Sequence, residues 1–137
     1  MESFATNVVV RLLVDDDSVQ SPRAVELWRQ AIRRGGVFLS KVLVETVWVL
    51  KTAYRFDREA IVKVLDAMMR TGGVSVEQEE QISAALQAYA CGAADFSDYL
   101  ILTTAREHRA LPVHSFDRRF AKAEGVGLVR ATSPFTT

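Results

Sequence analysis

The chain has 137 residues, 49% of them apolar and 25% charged, which is the composition of a folded globular protein and excludes a disordered or fibrous chain. Its 17 basic and 17 acidic side chains cancel, so the net charge does not favour general binding to nucleic acid. No segment reaches the roughly 20 apolar residues of a membrane span, and the single cysteine, Cys91, excludes an internal disulfide.

The size and the absence of repeats or linkers predict one domain over residues 1–137. The N-terminus lacks a basic segment followed by an apolar run, so we expect a cytoplasmic location, and we expect Cys91 in the core. Residues 56–98 carry eight acids and three bases, whereas residues 106–137 carry six bases and three acids. This asymmetry allows either a local phosphate-facing patch or an ordinary mixed surface.

The first part of the chain predicts strands that alternate with helices. In chain order these elements are a strand at residues 2–5, a helix over residues 8–14 capped by Thr6 or Asn7, a helix from Ser21-Pro22 to Gly35-Gly36, a strand at residues 37–39, a helix from Ser40 to Tyr54, and a helix from Asp57 to Gly72-Gly73. The β-branched residues between positions 42 and 50 leave a strand possible there.

The second part predicts a similar alternation. Its elements are a helix opened by a capping box at Ser75 and Gln78, a helix between Asp95 and Pro112, a strand at residues 113–116, a short helix from Asp117 to Gly125, and a strand at residues 128–129. Parallel neighbours need crossover connections, which helices supply. We therefore predict an α/β fold with three layers, in which helices flank a short, mostly parallel sheet.

Acidic residues follow the predicted strands, and ligand sites in such folds lie beyond the carboxyl ends of the strands. Asp117 comes directly after one strand, and Ala5 holds the equivalent place after the first. Glu45 lies among apolar neighbours, where burial of an unpaired carboxylate would be costly. We therefore expect Glu45 to have a partner, either a metal cation or an arginine.

Asp95 and Asp98 are three residues apart, a spacing that places both on one face of a helix. Asp95 suits an N-cap, so a purely structural role competes with a role in a site, and the same ambiguity applies to Asp117. Asp98 lies one turn inside the helix. His108 and His114 show no pairing with a nucleophile and are given no role.

Carboxylates without a set of histidines or thiols are the ligands that Mg²⁺ or Mn²⁺ prefers. Such ions suit phosphodiester hydrolysis, because they neutralise phosphate charge and activate water.

Four motifs, in this order along nearly the whole chain, resemble those of PIN-domain ribonucleases of the VapC toxin type. They are Phe4-Ala5-Thr6-Asn7-Val8-Val9-Val10-Arg11-Leu12-Leu13, Val44-Glu45-Thr46, Asp95-Phe96-Ser97-Asp98-Tyr99-Leu100-Ile101 and Ser115-Phe116-Asp117-Arg118-Arg119-Phe120. No single motif is specific, but the ordered set is.

The resemblance implies an endoribonuclease toxin that binds Mg²⁺ or Mn²⁺ and hydrolyses RNA. It also implies a homodimer and a small antitoxin protein that neutralises the toxin. The residues that match the family's site are the acids Glu45, Asp98 and Asp117, with Asp95 as an accessory, and the small polar residues Thr6, Asn7 and Ser115.

Ala5 departs from the family pattern, which has an aspartate at this position. Alanine has no ligand oxygen, so we expect weakened metal binding and impaired hydrolysis in an intact fold. Either an engineered substitution or a naturally degenerate site accounts for it.

Two other functions compete with a nuclease. One is a non-catalytic domain that binds RNA or a partner. The other is a phosphatase-like α/β domain, but this sequence lacks the adjacent acidic pair expected of that class. If RNA is the substrate, the candidate phosphate contacts, each of which also suits ordinary surface charge, are Arg106, Arg118, Arg119 and Lys122.

Overall fold

The computed structural model describes residues 1–130 of the chain. These residues belong to two compact units, Met1–Glu80 and Gln81–Thr137, each with its own helices and parallel strands. The α/β class with a short parallel sheet is therefore confirmed. A single domain over residues 1–137 stays a prediction, and the last seven positions of that range lie outside the described residues.

The first unit has three strands and four helices among its residues. They are β1 (Glu2–Ser3), α1 (Thr6–Leu13), α2 (Gln20–Arg34), β2 (Gly36–Phe38), α3 (Ser40–Thr52), α4 (Arg58–Thr71) and β3 (Ser75–Val76). The strands form a parallel sheet in the order β1-β2-β3, and a pair of helices connects each strand to the next. In register, Ser3 lies opposite Val37, and Phe38 lies opposite Val76.

The core of the first unit lies around the central strand, β2. Phe38 at its end is 1% exposed, and its ring contacts that of Phe4, with centroids 5.3 Å apart. Helix α1 packs against α2 and α3. A Cβ on Gly36 would lie 2.7 Å from the Cβ of Ala31, so only glycine allows α2 to pack this closely on the strand.

Helices α1 and α2 begin at residues other than those predicted. Ala5, rather than Thr6 or Asn7, is the N-cap of α1 and forms no side-chain capping bond. Ser21 lies inside α2 and is buried, and the carboxylate of Asp17 accepts the N–H groups of Val19 and Gln20 at 2.9 and 2.7 Å. The carboxylate is a stronger acceptor for these unpaired donors than a serine hydroxyl.

The segment at residues 42–50 is helical, so the alternative of a strand there is wrong. The predicted cap Ser40 is the first residue of α3, and its N–H and hydroxyl donate to Glu77 Oε1 at 3.0 and 2.8 Å. Asp57 caps α4 as predicted, because its carboxylate accepts the N–H of Ala60 at 2.8 Å.

The second unit contains the remaining elements of the described chain. They are α5 (Glu79–Cys91), which begins two residues before the unit, α6 (Phe96–Glu107), β4 (Val113–Ser115), a 3₁₀ turn (Phe120–Lys122) and β5 (Val126–Leu128). Strands β4 and β5 pair in parallel, and α6 packs against β4. Edge-to-face ring pairs, Tyr89 with Phe96 and Tyr99 with Phe120, lie in its core.

Three predictions for this part of the chain are wrong. Ser75 and Gln78 form no capping box, because Ser75 lies in β3 and Gln78 has a left-handed φ of 54°. Asp117 precedes a 3₁₀ turn rather than opening a helix. Cys91 is exposed rather than in the core, because it lies on the last turn of α5. None of the helices within residues 1–130 is long and apolar enough to span a membrane.

Candidate functional site

The first unit brings together the candidate residues at positions 5, 6, 7 and 45. Ala5 and Thr6 lie two and three residues after the end of β1, and the Thr6 hydroxyl donates to Glu45 Oε2 at 2.7 Å. Ala5, Thr6, Asn7 and Glu45 line one cleft with a volume of about 890 Å³. The segment after β1 and the second turn of α3 therefore form a candidate site within the first unit.

Glu45 is exposed, so the expectation that it is buried among apolar residues is wrong. The apolar neighbours of Glu45 in sequence lie on a different face of α3, where Leu43, Val47 and Leu50 are in the core. In a helix, adjacent residues point in different directions, so an apolar neighbour in sequence does not imply burial. Its carboxylate has a hydroxyl partner in Thr6, and neither a metal nor an arginine is needed to explain its position.

The second unit brings together Asp95, Asp98 and Asp117. Asp95 is the N-cap of α6, although its side chain makes no capping hydrogen bond, and Asp98 lies in the first turn. Burial, and then the negative charges of Asp95 and Asp117, raise the pKa of Asp98 above its ordinary value. Asp98 therefore interacts with both of the other carboxylates, and a cation beside it would favour its ionised form.

Asp117 has a structural role in addition to its candidate role as an acid of the site. Its Oδ1 accepts the N–H groups of Arg119 and Phe120 at 2.8 and 3.2 Å, while Ser115 Oγ accepts the N–H of Asp117 at 3.0 Å. These bonds hold the chain where it leaves β4. They occupy one oxygen of the carboxylate, so the other is the one that suits a ligand.

The raised pKa of Asp98 predicts how stability depends on pH. Ionised Asp98 is less favourable in the folded than in the unfolded state, so this cost is present above the raised pKa and disappears as the pH falls towards 3.8. In metal-free buffer, we expect Asp98→Asn to raise the free energy of unfolding at pH 7, with a smaller gain at pH 4.5. Urea denaturation at the two pH values measures the difference.

Asp17→Asn is the control for this measurement. The N–H groups of Gln20 and Val19 lower the pKa of Asp17, so its charge stabilises the fold above pH 3.8 and that contribution is lost as the pH falls. The asparagine variant should therefore be less stable than the original at pH 7. A lower free energy of unfolding at pH 7 in the Asp98→Asn variant would contradict the prediction made for Asp98.

The predicted phosphate contacts differ in their surroundings. Arg106 donates to the Glu124 carbonyl at 2.8 Å, and Arg119 Nε lies 4.0 Å from Asp117 Oδ1. Arg118 and Lys122 are exposed. These four bases belong to the second unit, as do the three aspartates.

The donor chemistry of both groups fits a hard divalent cation, because it consists of carboxylates and hydroxyls without histidine or thiol. Over residues 1–130, neither unit presents three or more His, Cys, Asp or Glu side chains arranged to hold a metal ion. Ala5 contributes no oxygen to the first group. That Glu45 joins the three aspartates in one site stays a prediction.

The structure also shows site residues that sequence reasoning missed. Arg11, Gln20 and Tyr54 line the same cleft as Glu45. Arg11 could have been noticed as the one charge within the apolar run at residues 8–14. Gln20 and Tyr54 carry no comparable signal, since each reaches the cleft from a different helix end.

The PIN domain family matches residues 5–126, a range that begins at Ala5 and includes all four candidate acids. The comparison with curated proteins and the comparison with solved structures gave no match. PIN domains are typically metal-dependent nucleases. Because the match covers most of the 137 residues, the chain belongs to the PIN domain family.

Proposed function

We propose that this protein is an endoribonuclease toxin of the VapC type, impaired in this form by Ala5. The match to the PIN domain family carries the proposal, because the matched range contains the candidate acids of both units. We further propose that it acts in the cytosol as a homodimer, and that a small antitoxin protein neutralises it.

Glu45, Asp98 and Asp117 would hold a magnesium or manganese ion, with Asp95 as an accessory. When bound, the ion supplies a positive charge that neutralises phosphate and activates water. Thr6 orients the carboxylate of Glu45 through the 2.7 Å hydrogen bond, and Ser115 anchors the backbone of Asp117. Four basic residues would contact the phosphates of the RNA: Arg106, Arg118, Arg119 and Lys122. These contacts would position the strand without reading its sequence.

A non-catalytic domain that binds RNA or a partner is the second candidate. The observation that favours it is the alanine at position 5, together with the absence, over residues 1–130, of three or more acidic side chains arranged to hold a metal ion. The two candidates differ in whether the acids bind a metal once position 5 is restored.

Thermal unfolding with manganese tests metal binding directly. We expect manganese to stabilise Ala5→Asp, because a ligand that binds only the native state raises its stability by about 2.7 kcal/mol at 100 times Kd. For a chain of this size that corresponds to a rise in Tm of roughly 10 °C. The unsubstituted protein should shift much less.

The control is the double variant Ala5→Asp with Glu45→Gln, which keeps the acceptor for Thr6 but removes the charge. Manganese should stabilise it less than Ala5→Asp alone. Equal Tm values with and without manganese in Ala5→Asp would favour the non-catalytic candidate.

A further inference from the structure

The cleft beside Thr6 and Glu45 contains an arginine to which neither the resemblance nor the proposed function assigns a role. Arg11 lies on α1 and lines the cleft together with Gln20 and Tyr54. The volume of about 890 Å³ is within the range of roughly 300–1,000 Å³ typical of ligand pockets, so the cleft is large enough for a nucleotide unit.

Three neighbours hold the Arg11 side chain in place. Nε donates to Gln20 Oε1 at 2.8 Å, and Nη1 donates to Asp16 Oδ1 at 2.9 Å and to the Tyr54 hydroxyl at 3.2 Å. These three hydrogen bonds use Nε and Nη1 rather than Nη2, and 30% of the side chain is exposed. The guanidinium is therefore fixed on one edge and keeps donors for a ligand on another.

The surrounding groups keep this cluster ionised. Hydrogen bonding from Tyr54, and then from Arg11, lowers the pKa of Asp16, while the hydrogen bond to Asp16 raises the pKa of Arg11. Asp16 offsets part of the charge of Arg11 and fixes its direction, so Arg11 offers a ligand both positive charge and oriented donors. A planar guanidinium with free N–H donors suits a phosphate oxygen.

We infer that Arg11 is a substrate-positioning residue, which binds a backbone phosphate of the RNA strand in the cleft beside the Thr6–Glu45 pair. This inference rests on the proposed function and extends it to the first unit, whereas the other proposed phosphate contacts lie in the second unit: Arg106, Arg118, Arg119 and Lys122. The competing role of Arg11 is structural, because it links α1 to Asp16 and to Tyr54 beyond the end of α3.

Binding of fluorescently labelled single-stranded RNA of random sequence tests the inference. The unsubstituted protein is suitable, because Ala5 should limit cleavage during the measurement. We expect Arg11→Gln to weaken binding about tenfold and to reduce the slope of log K against log salt by about 0.7, the value for one phosphate contact to a single strand. A purely structural arginine would leave this slope unchanged in folded protein.

Two further variants separate the possible causes of weaker RNA binding by Arg11→Gln. Arg11→Gln leaves the charge of Asp16 uncompensated, and this charge alone would repel RNA. The double variant Arg11→Gln with Asp16→Asn removes that repulsion and should still bind weakly with the reduced slope. Arg70→Gln removes an exposed arginine with an ion pair of the same 2.9 Å length, to Asp66, and should bind RNA as the unsubstituted protein does.

Binding by the double variant with the original affinity and slope would overturn the inference. Urea denaturation of each variant confirms that the protein measured is folded. Cleavage of RNA by Ala5→Asp shows whether only the proposed role of Arg11 is wrong or the proposed function as well. If Ala5→Asp cleaves RNA and adding Arg11→Gln leaves kcat/KM unchanged, only the role of Arg11 is wrong. If no variant binds or cleaves RNA, both proposals are wrong.

Discussion

Ala5→Asp is expected to raise Mg²⁺- or Mn²⁺-dependent RNA cleavage by at least about 100-fold, because loss even of residues that support metal ligands costs roughly 10–100-fold. Position 5 lies two residues after the end of β1 and lines the same cleft as Thr6 and Glu45. A carboxylate there would add two oxygens and a negative charge beside the existing carboxylate. The measurement is the rate of cleavage of a mixed RNA pool with each metal and with a chelator.

A second effect of the aspartate must be separated from metal binding. Ala5 is the N-cap of α1 and lacks a side-chain capping bond, so an aspartate should also stabilise the helix by about 1 kcal/mol. Ala5→Ser caps the helix without adding a carboxylate, and it should gain stability but no cleavage. Equal cleavage by the serine and aspartate variants, or none by the aspartate variant, would contradict the prediction.

In the Ala5→Asp protein, Glu45→Gln, Asp98→Asn and Asp117→Asn should each lower kcat/KM by about 100-fold or more, because each removes the charge of a proposed ligand. The substitutions preserve local structure. Glutamine can still accept the hydrogen bond of Thr6, and asparagine at 117 can still accept those of Arg119 and Phe120. Initial rates at several RNA concentrations separate effects on kcat from effects on KM.

Glu77→Gln is the matched control in the same background. Glu77 is an acid at the end of β3, but its Oε1 accepts two hydrogen bonds from Ser40, which gives it a structural role at the start of α3. It should leave kcat/KM unchanged apart from any loss of stability. The ligand assignment fails for any of the three acids whose amide variant keeps full activity while the control behaves as expected.

Thr6 provides a graded test within the same series. Thr6→Val removes the hydroxyl that holds Glu45 but leaves the carboxylate, so its loss of activity should be smaller than that of Glu45→Gln. Thr6→Ser keeps the hydroxyl and should retain most of the activity. This order distinguishes a positioning residue from a ligand.

Several elements could be predicted from local signals, because their ends depend on residues close in sequence. Asp57 and Gly72 bound α4 as expected, since a carboxylate can cap a first turn and glycine readily adopts the positive φ of 72° at its end. The predicted cap at the start of α3 is wrong, because the partner of Ser40 comes from another segment. Ser40 is held by Glu77, 37 residues away, and no local pattern indicates this pairing.

The sequence by itself determined the α/β class, the order of most elements and the membership of a nuclease family, because alternating hydrophobic patterns and ordered motifs are properties of the chain. Tertiary structure alone decided that Glu45 is exposed and bonded to Thr6, and that Arg11 is fixed between Asp16, Gln20 and Tyr54. These pairings depend on how α1 and α3 pack, which brings side chains 39 and 43 positions apart into contact. The positions of these residues along the chain do not indicate that their side chains are in contact.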